Sequence, residues 1–344
     1  METNKQNADF LNIGNKILDW YHKNGRILPF RMTKNPYKIW ISEIVFQQTR
    51  IQQGLGHYVN FIERFPNVES LASVDIEEVM LYWKGLGYYS RALNIHKASK
   101  QIIEKFNGEF PSEYQEILKL SGIGKYTAAA IASICFDEDY PAVDGNFYRV
   151  LSRLFADDFD ISQSKSFDYF ATLALKIMPK GKAGDFNQAI MDMGAEVCKP
   201  KPHCGECPVR EDCLAFSVGK QQEFPVKNKK TKQKNQNLTY YFVENQNKFL
   251  IRRRGTDSIW KNLNEFPTKI PKKWQSNIVE HHQVNHKLTH LNLGIDIYRV
   301  IVECPNEFQF FADREQFVLI THEEAIQKSF PKPLENYVNK IKKS

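Results

Sequence analysis

Long apolar runs are missing from this 344-residue chain, and none approaches the ~18 residues of a membrane-crossing helix. The opening METNKQNADF is polar and lacks the charged, apolar, small order of a secretory signal. Neither a membrane span nor secretion is expected, and a cytoplasmic location is. Internal repeats, collagen-like triplets and coiled-coil heptads are absent as well, which argues against solenoids and fibres. Charge of one sign is scarce. Lys and Arg number 47 against 40 Asp and Glu, a net +7 that permits a polyanionic partner without demanding one. Cysteine is sparse, six in all, and four of the six fall between 198 and 213. Such clustering argues against a disulfide framework and for metal ligation in a reducing compartment. Cys135 and Cys304 stand alone, and Cys135, at the end of the apolar run AAAIASIC, reads as an inert core residue.

What is present divides in two, as expected for a chain too long for one ordinary core. Residues 8 to about 216 read as helices joined by short turns. ADFLNIGNKILDWYHKNG places Phe10, Ile13, Ile17, Leu18 and Tyr21 at helical period, and IWISEIVFQQTRIQQGLGHYVNFIERF reads as a second run ended by Pro66. SVDIEEVMLYW starts a helix at Ser73, with Glu77 and Glu78 in its first turn. Further helices are expected around 91–106, 112–119, 125–136, 145–155, 166–177 and 185–197. Residues 218–237 are rich in Lys, Asn and Gln and read as an exposed linker. Beyond it the period becomes two. LTYYFVE and KFLIRRR pair around a turn at Asn245 to Asn247, and Leu291, Leu293, Ile295 and Ile297 alternate along a half-buried strand. Thr321 and Glu324 form a capping box for a late helix. The expected division is a helical domain over 1–217, a linker over 218–237 and an α+β domain over 238–344.

Three constellations carry chemistry. Cys198, Cys204, Cys207 and Cys213 form C-x5-C-x2-C-x5-C. Structural zinc more often uses two C-x2-C knuckles, whereas one compact loop of four cysteines suits an iron–sulfur cubane; spacing leaves both open. His203, beside Pro202, reads as a bystander. KLSGIGKYTAAAIAS, 119–133, is a helix–hairpin–helix pattern. Gly122 and Gly124 allow tight backbone geometry, and the amides at the next helix's start, by Lys125, offer an anion site suited to a DNA backbone. Glu43 lies among Ile39, Trp40, Ile44 and Phe46, where desolvation would keep a carboxyl protonated near neutral pH; beside Ser42 and Gln47 it also suits the polar face of an amphipathic helix, which these residues alone favour. Asp144, ahead of Gly145 and Asn146, suits a helix N-cap or a carboxylate at a cleft floor. A proton donor and a fixed anion are what cleavage of a glycosidic bond requires.

In the order Glu helix, hairpin, Asp, cysteine loop, the sequence resembles the helix–hairpin–helix DNA glycosylases with an iron–sulfur loop, most closely those of the MutY type, which excise adenine opposite 8-oxoguanine. PYKIWISEIVFQQT, LYWKGLGYYSRALNIHKA, LSGIGKYTAAAI, VDGNFYRVLSR and FNQAIMDMGAEVC carry the resemblance with the cysteine loop. It implies a mainly α N-terminal part, with two helical subdomains and the iron–sulfur loop, followed by an α+β Nudix-like domain. It implies one structural 4Fe–4S cluster on the four cysteines, and a monovalent or divalent cation at the hairpin. The first cysteine gap is five residues where the family has six, so the loop is expected to tighten around Pro200 and Pro202.

By the same resemblance Glu43 is the general acid, Asp144 stabilises the oxocarbenium ion, and Tyr126 and Asn146 complete that pocket. Arg31 and Gln188 contact the flipped base, and Gln48 and Tyr88 wedge into the duplex. Endonuclease III, a relative acting on oxidised pyrimidines, carries a Schiff-base lysine where this chain has Tyr126; Lys125 lies about 100° around the helix. A monofunctional glycosylase follows. RRRGTDSIWKNLNEFP resembles the start of a Nudix-like domain, but no G-x5-E-x7-R-E-x-x-E-E segment follows, so nucleotide hydrolysis is not expected. Leu288, Thr289 and His290 stand where the family's Phe-Ser-His loop checks for 8-oxoguanine. The expected partner is duplex DNA with A:8-oxoguanine or A:G pairs, bound by a monomer. A non-catalytic DNA-binding iron–sulfur scaffold is the rival of another class.

Overall fold

The computed structural model describes residues 2–228, 233–255, 259–288 and 290–342, with side chains from residue 10 onward. In chain order the helices are α1 (Glu2–Asn24), α2 (Pro36–Val45), α3 (Ile51–Arg64), α4 (Val68–Ala72), α5 (Ile76–Tyr82), α6 (Ser90–Phe106), α7 (Tyr114–Leu118), α8 (Lys125–Phe136), α9 (Gly145–Phe155), α10 (Ser166–Ile177), α11 (Ala183–Glu196) and α12 (Leu214–Ser217). Then follow β1 (Lys234–Asn245), β2 (Lys248–Arg253), β3 (Asn264–Glu265), β4 (Ile278–Lys287), β5 (Leu291–Ile301), α13 (Pro305–Glu315), β6 (Val318–Thr321) and α14 (Lys332–Ile341). No helix among the described residues is long and apolar enough to cross a membrane. The chain packs as two compact units: Met1–Val74 with Asn94–Lys229, and Asp75–Leu93 with Lys230–Ser344. The sequence alone offers one continuous helical stretch over 1–217. Packing groups Asp75–Leu93 with the second unit, where Glu77 pairs with Lys328 and Lys84 with Glu335, each at 3.1 Å.

In the first unit α1, α9, α10 and α11 share one core that includes Ile17, Phe147, Phe170, Ile177, Phe186 and Ile190. Helix α8 is apolar on nearly every side, with Ala128 to Ala132 all buried, because it packs against α2, α7 and α11. That arrangement aims α2, α8, α11 and the start of α9 at a common space.

Three local expectations are corrected. The run from Ile39 to Phe65 is two helices, broken where Gln48 takes a φ of +56°. A continuous helix would hold Phe46 and Tyr58 about 18 Å apart, whereas the break brings their ring centres to 6.3 Å, with Phe30 at 4.7 Å from Phe46. The start expected at Ser73 lies at Asp75, because the Ser73 hydroxyl donates back to Ser70 O (3.2 Å) and closes α4. The capping box of Thr321 and Glu324 is present, with both reciprocal bonds (2.7 and 3.1 Å), but it opens only a 3-10 turn over Glu324–Gln327. The late helix begins at Lys332 instead, with Pro331 ahead of it.

In the second unit the sheet order is β3-β2-β1-β5-β4, with β6 also on β2. Strands β1 and β5 run parallel, from Lys234↔Leu291 to Glu244↔Ile301. The β1–β2 hairpin turns where the sequence places it, pairing Asn245 with Lys248. Leu291, Leu293, Ile295 and Ile297 are all buried, under Leu334, Tyr337, Val338 and Ile341 of α14. Phe308, Phe311 and Ala312 of α13 cover the other face, on Val243, Leu250 and Val300.

Candidate active site and cysteine loop

The two carboxylates come from different elements and lie close enough for the Asp144 charge to act on Glu43. Glu43 sits on α2, whose N-cap Asn35 accepts from Lys38 N (3.1 Å), so the helix and the acid it carries are fixed from their start. On the first turn of α8, Tyr126 donates its hydroxyl hydrogen to Glu43 Oε2 at 2.7 Å. Burial pushes the Glu43 carboxyl above its ordinary value; the Tyr126 hydrogen bond and the Arg31 charge pull the other way, and the Asp144 charge adds to the rise. Glu43 thus holds its proton to higher pH than an exposed carboxyl does.

Asp144 is an N-cap and a pocket carboxylate at once. Its Oδ1 accepts from Asn146 N and Phe147 N, both at 2.9 Å, and its Oδ2 from Asn146 Nδ2 at 2.7 Å. Burial raises this carboxyl too, while those three donors and the Arg149 charge oppose the rise. Gly194 of α11 lies against Asn146 so closely that an added Cβ would meet the Asn146 Cβ at 2.6 Å.

Arg31, Gln188 and Tyr21 complete the wall. Both terminal nitrogens of Arg31 donate to Asp192, at 2.6 and 2.8 Å, and its guanidinium lies 5.8 Å from the Tyr21 ring centre. Tyr21 donates to Gln188 Oε1 at 3.4 Å. The sequence reading missed Asp192, although it stands among apolar residues in AIMDMGA, the signal that singled out Glu43.

At the hairpin, Gly122 has a φ of +76°, and a Cβ there would meet the Asn94 Cβ at 2.5 Å, so both conformation and space demand glycine. Gly124 is the N-cap of α8 and supplies no side-chain acceptor to the helix's first amides. Lys125 is exposed and pairs with Asp168 at 2.6 Å.

Gln48 is exposed at its left-handed turn in the first unit. In the second unit Tyr88 is 52% exposed with a φ of +47°, beside a buried Arg91 that donates to Leu86 O (3.2 Å) and Gly87 O (3.3 Å). Left-handed non-glycine residues concentrate where structure is held for a purpose. Leu288 is half-buried against the sheet core and donates its N–H to Leu291 O (2.8 Å), while His290 is exposed and its carbonyl accepts from Lys234 N (3.0 Å). Thr289 lies outside the described residues.

The four cysteines line a single hollow with Arg153, Val197, Pro202 and Phe216. Among the described residues no group of three or more His, Cys, Asp or Glu could hold a single metal ion. The lining brings together four soft donors, the ligand type of both zinc and iron–sulfur sites. Burial pushes the Cys207 thiol up to about 12 and also raises Cys204 and Cys213. The shortened first gap is held by buried Arg153, another residue the sequence reading missed. It donates to Lys199 O (2.6 Å), Pro200 O (2.9 Å) and Cys198 Sγ (3.4 Å). One turn earlier Arg149 donates to Cys198 O (2.6 Å) and to Asn146 Oδ1 (2.8 Å), tying the loop to the residue that holds Asp144. The i, i+4 spacing of the two arginines in FYRVLSRLF was the available signal.

Residues 41–173 match the HhH-GPD superfamily of base excision DNA repair proteins, and residues 239–340 match a NUDIX domain. The adenine DNA glycosylase of Buchnera aphidicola subsp. Schizaphis graminum is 39% identical over 293 residues, 81% of this chain and 84% of the relative. That of Buchnera aphidicola subsp. Acyrthosiphon pisum is 32% identical over 342 residues, 95% of this chain and 97% of the relative. The human adenine DNA glycosylase is 36% identical over 217 residues, 60% of this chain and 40% of its own length. Among solved structures, a thermostable thymine-DNA glycosylase superimposes with a TM-score of 0.56 at 29% identity, covering 63% of this chain and all of that one. An endonuclease III–DNA covalent intermediate gives 0.54 at 23% identity, covering 62% of this chain and 98% of that one, a likeness of fold.

Proposed function

Because the chain belongs to the adenine DNA glycosylase family, whose members act in base excision repair, we propose that the adenine it removes is the one paired with 8-oxoguanine, and that it does so without strand cleavage of its own. Extruding the base costs a few kcal/mol, which contacts from Arg31 and Gln188 offset. Glu43 then passes its proton to a ring nitrogen of adenine. The N-glycosidic electron pair leaves with the base, and the sugar becomes an oxocarbenium ion. Asp144, held by the α9 amides and by Asn146, faces that cation and stabilises it, or captures it briefly as an ester. Water adds to the sugar carbon, its proton returns to Glu43, and an abasic site remains.

Outside the pocket, the α8 amides with Gly122, Gly124 and Lys125 grip a phosphate, with a monovalent or divalent cation at the hairpin. Gln48 and Tyr88 wedge the duplex, and Leu288, Thr289 and His290 test the opposite base. Cys198, Cys204, Cys207 and Cys213 would hold one 4Fe–4S cluster, which supplies structure to the loop and takes no part in bond cleavage. The second unit lacks the catalytic Nudix motif and does not hydrolyse nucleotides, and the protein acts as a monomer.

The observation that carries this reading is the 2.7 Å bond from Tyr126 to Glu43. The position from which a lysine would form a Schiff base holds a phenol engaged with the acid. The test is single-turnover cleavage of a duplex with one A:8-oxoguanine pair, with and without hot alkali, beside Glu43→Gln. Alkali-dependent cutting by the unaltered protein alone is expected. A borohydride-trapped adduct would point to a lyase for oxidised pyrimidines, and unchanged activity in Glu43→Gln would remove the acid.

A further inference from the structure

Asp192 lies beneath the base pocket with its side chain at 0% exposure. It accepts from Arg26 N (2.9 Å), Nε (2.8 Å) and Nη2 (2.5 Å), and from Arg31 Nη1 (2.6 Å) and Nη2 (2.8 Å). Burial would raise this carboxyl, but the hydrogen bonds from Arg31 and Arg26 outweigh it and hold it below its ordinary value. Removing one partner from such a cluster leaves the other charge uncompensated. The charges left uncompensated are those of Arg26, 30% exposed and with Glu196 at 4.0 Å as a second partner, and of Arg31, 10% exposed and close enough to Glu43 to favour the acid's ionised form. An arginine lining the pocket is useful for holding a base and harmful to an acid that must keep its proton.

We propose that Asp192 is the positioning residue that resolves this conflict: it fixes the Arg31 guanidinium by two hydrogen bonds and cancels its charge, so that Glu43 stays protonated beside it. The inference rests on the reading of Glu43 as general acid. The titratable groups near Glu43 are Tyr126 and Cys135 from α8, Asp144 ahead of α9 and Arg31 from the 29–31 turn, with Asp192 of α11 acting through Arg31. Asp192 is the one whose charge reaches Glu43 through a neighbour and not directly.

The sign follows. Neutralising Asp192 leaves more positive potential at Glu43, favours its carboxylate, and moves the alkaline limb of the rate profile to lower pH. Single-turnover rates of Asp192→Asn, with an amide of nearly the same shape, are measured from pH 5 to 9 on the A:8-oxoguanine duplex. The expected result is an alkaline limb displaced downward by about one unit, about tenfold in rate on that side, with the acidic limb in place. Arg31→Gln in the Asp192→Asn background removes the extra positive charge and returns the limb. Arg31→Gln alone displaces it upward, and decides the matter if Asp192→Asn does not fold. A uniform fall at every pH, with no displaced limb in any variant, would overturn the proposal and leave Asp192 a packing residue. If instead Glu43→Gln keeps full activity, it is the reading of the acid that fails.

Discussion

Two helices begin 20 residues apart, α8 at Lys125 and α9 at Gly145, with opposite treatment of the same physics. The start of α8 is a glycine with no capping side chain, and the start of α9 is capped by Asp144 through three N–H donors. Each N-terminus offers unpaired amides and a partial positive charge. At α9 the protein supplies the anion itself and so fixes a carboxylate at the pocket. At α8 it leaves the amides for an anion from outside, which in our reading is a DNA phosphate. One helix start is a completed site and the other an open one.

Breaking the completed site should cost most. Asp144→Asn keeps an acceptor for the α9 amides but removes the charge, so single-turnover cleavage should fall roughly a thousandfold. Thermal unfolding of the same variant should show a loss below about 1 kcal/mol. A proportionate loss of both would mean that Asp144 serves folding alone.

Gly122→Ala attacks the open site. The φ of +76° and the 2.5 Å approach to Asn94 predict about 1–3 kcal/mol of destabilisation, read by chemical denaturation. Duplex affinity should fall about tenfold, read by fluorescence anisotropy at fixed salt. Unaltered affinity in a folded variant would detach the hairpin from DNA binding.

Glu43 is the other carboxyl of the site, with a phenol where Asp144 has amides. Its pKa is raised in the folded protein, so the stability it confers is complete below the unfolded value and is lost as pH rises through the folded one. Glu43→Gln should therefore raise stability by about 1 kcal/mol at pH 8 and leave it unchanged at pH 4. Melting curves at the two pH values separate this from a general effect of the amide.

The smallest effect concerns the exposed lysine beside the open helix start. Lys125→Gln should lower the slope of log affinity against log salt by about one, with cleavage of bound duplex little changed. An unaltered slope would place Lys125 away from the phosphates.

Much of this was legible in the sequence, and the losses have physical reasons. Glu43 and Asp144 stood out because each breaks an apolar or turn pattern, and alternation from Leu291 to Ile297 announced its strand. The break at Gln48 was hidden because apolar spacing continues across it; only the ring contacts of Phe46 with Phe30 and Tyr58 require the turn. The capping box at Thr321 was read correctly and its helix was not, since a cap fixes where a helix can start and Pro331 decides where this one does. Asp192, Arg149 and Arg153 escaped because their partners lie in other elements, and local pattern does not carry pairing across 160 residues, as between Arg31 and Asp192 (161 apart).

The pairing of Glu77 with Lys328, 251 residues later, bears on how the protein is made. A ribosome releases chains from the N-terminus, and domains generally fold as they emerge. Residues 75–93 appear early, yet their charged partners Arg253, Lys328 and Glu335 are made far later. During synthesis the segment carrying Tyr88 must therefore wait, tethered at both ends to a body that can already be finished. A chain stalled or truncated before residue 328 would lack this partner of Glu77 and would leave residues 75–93 without that anchor.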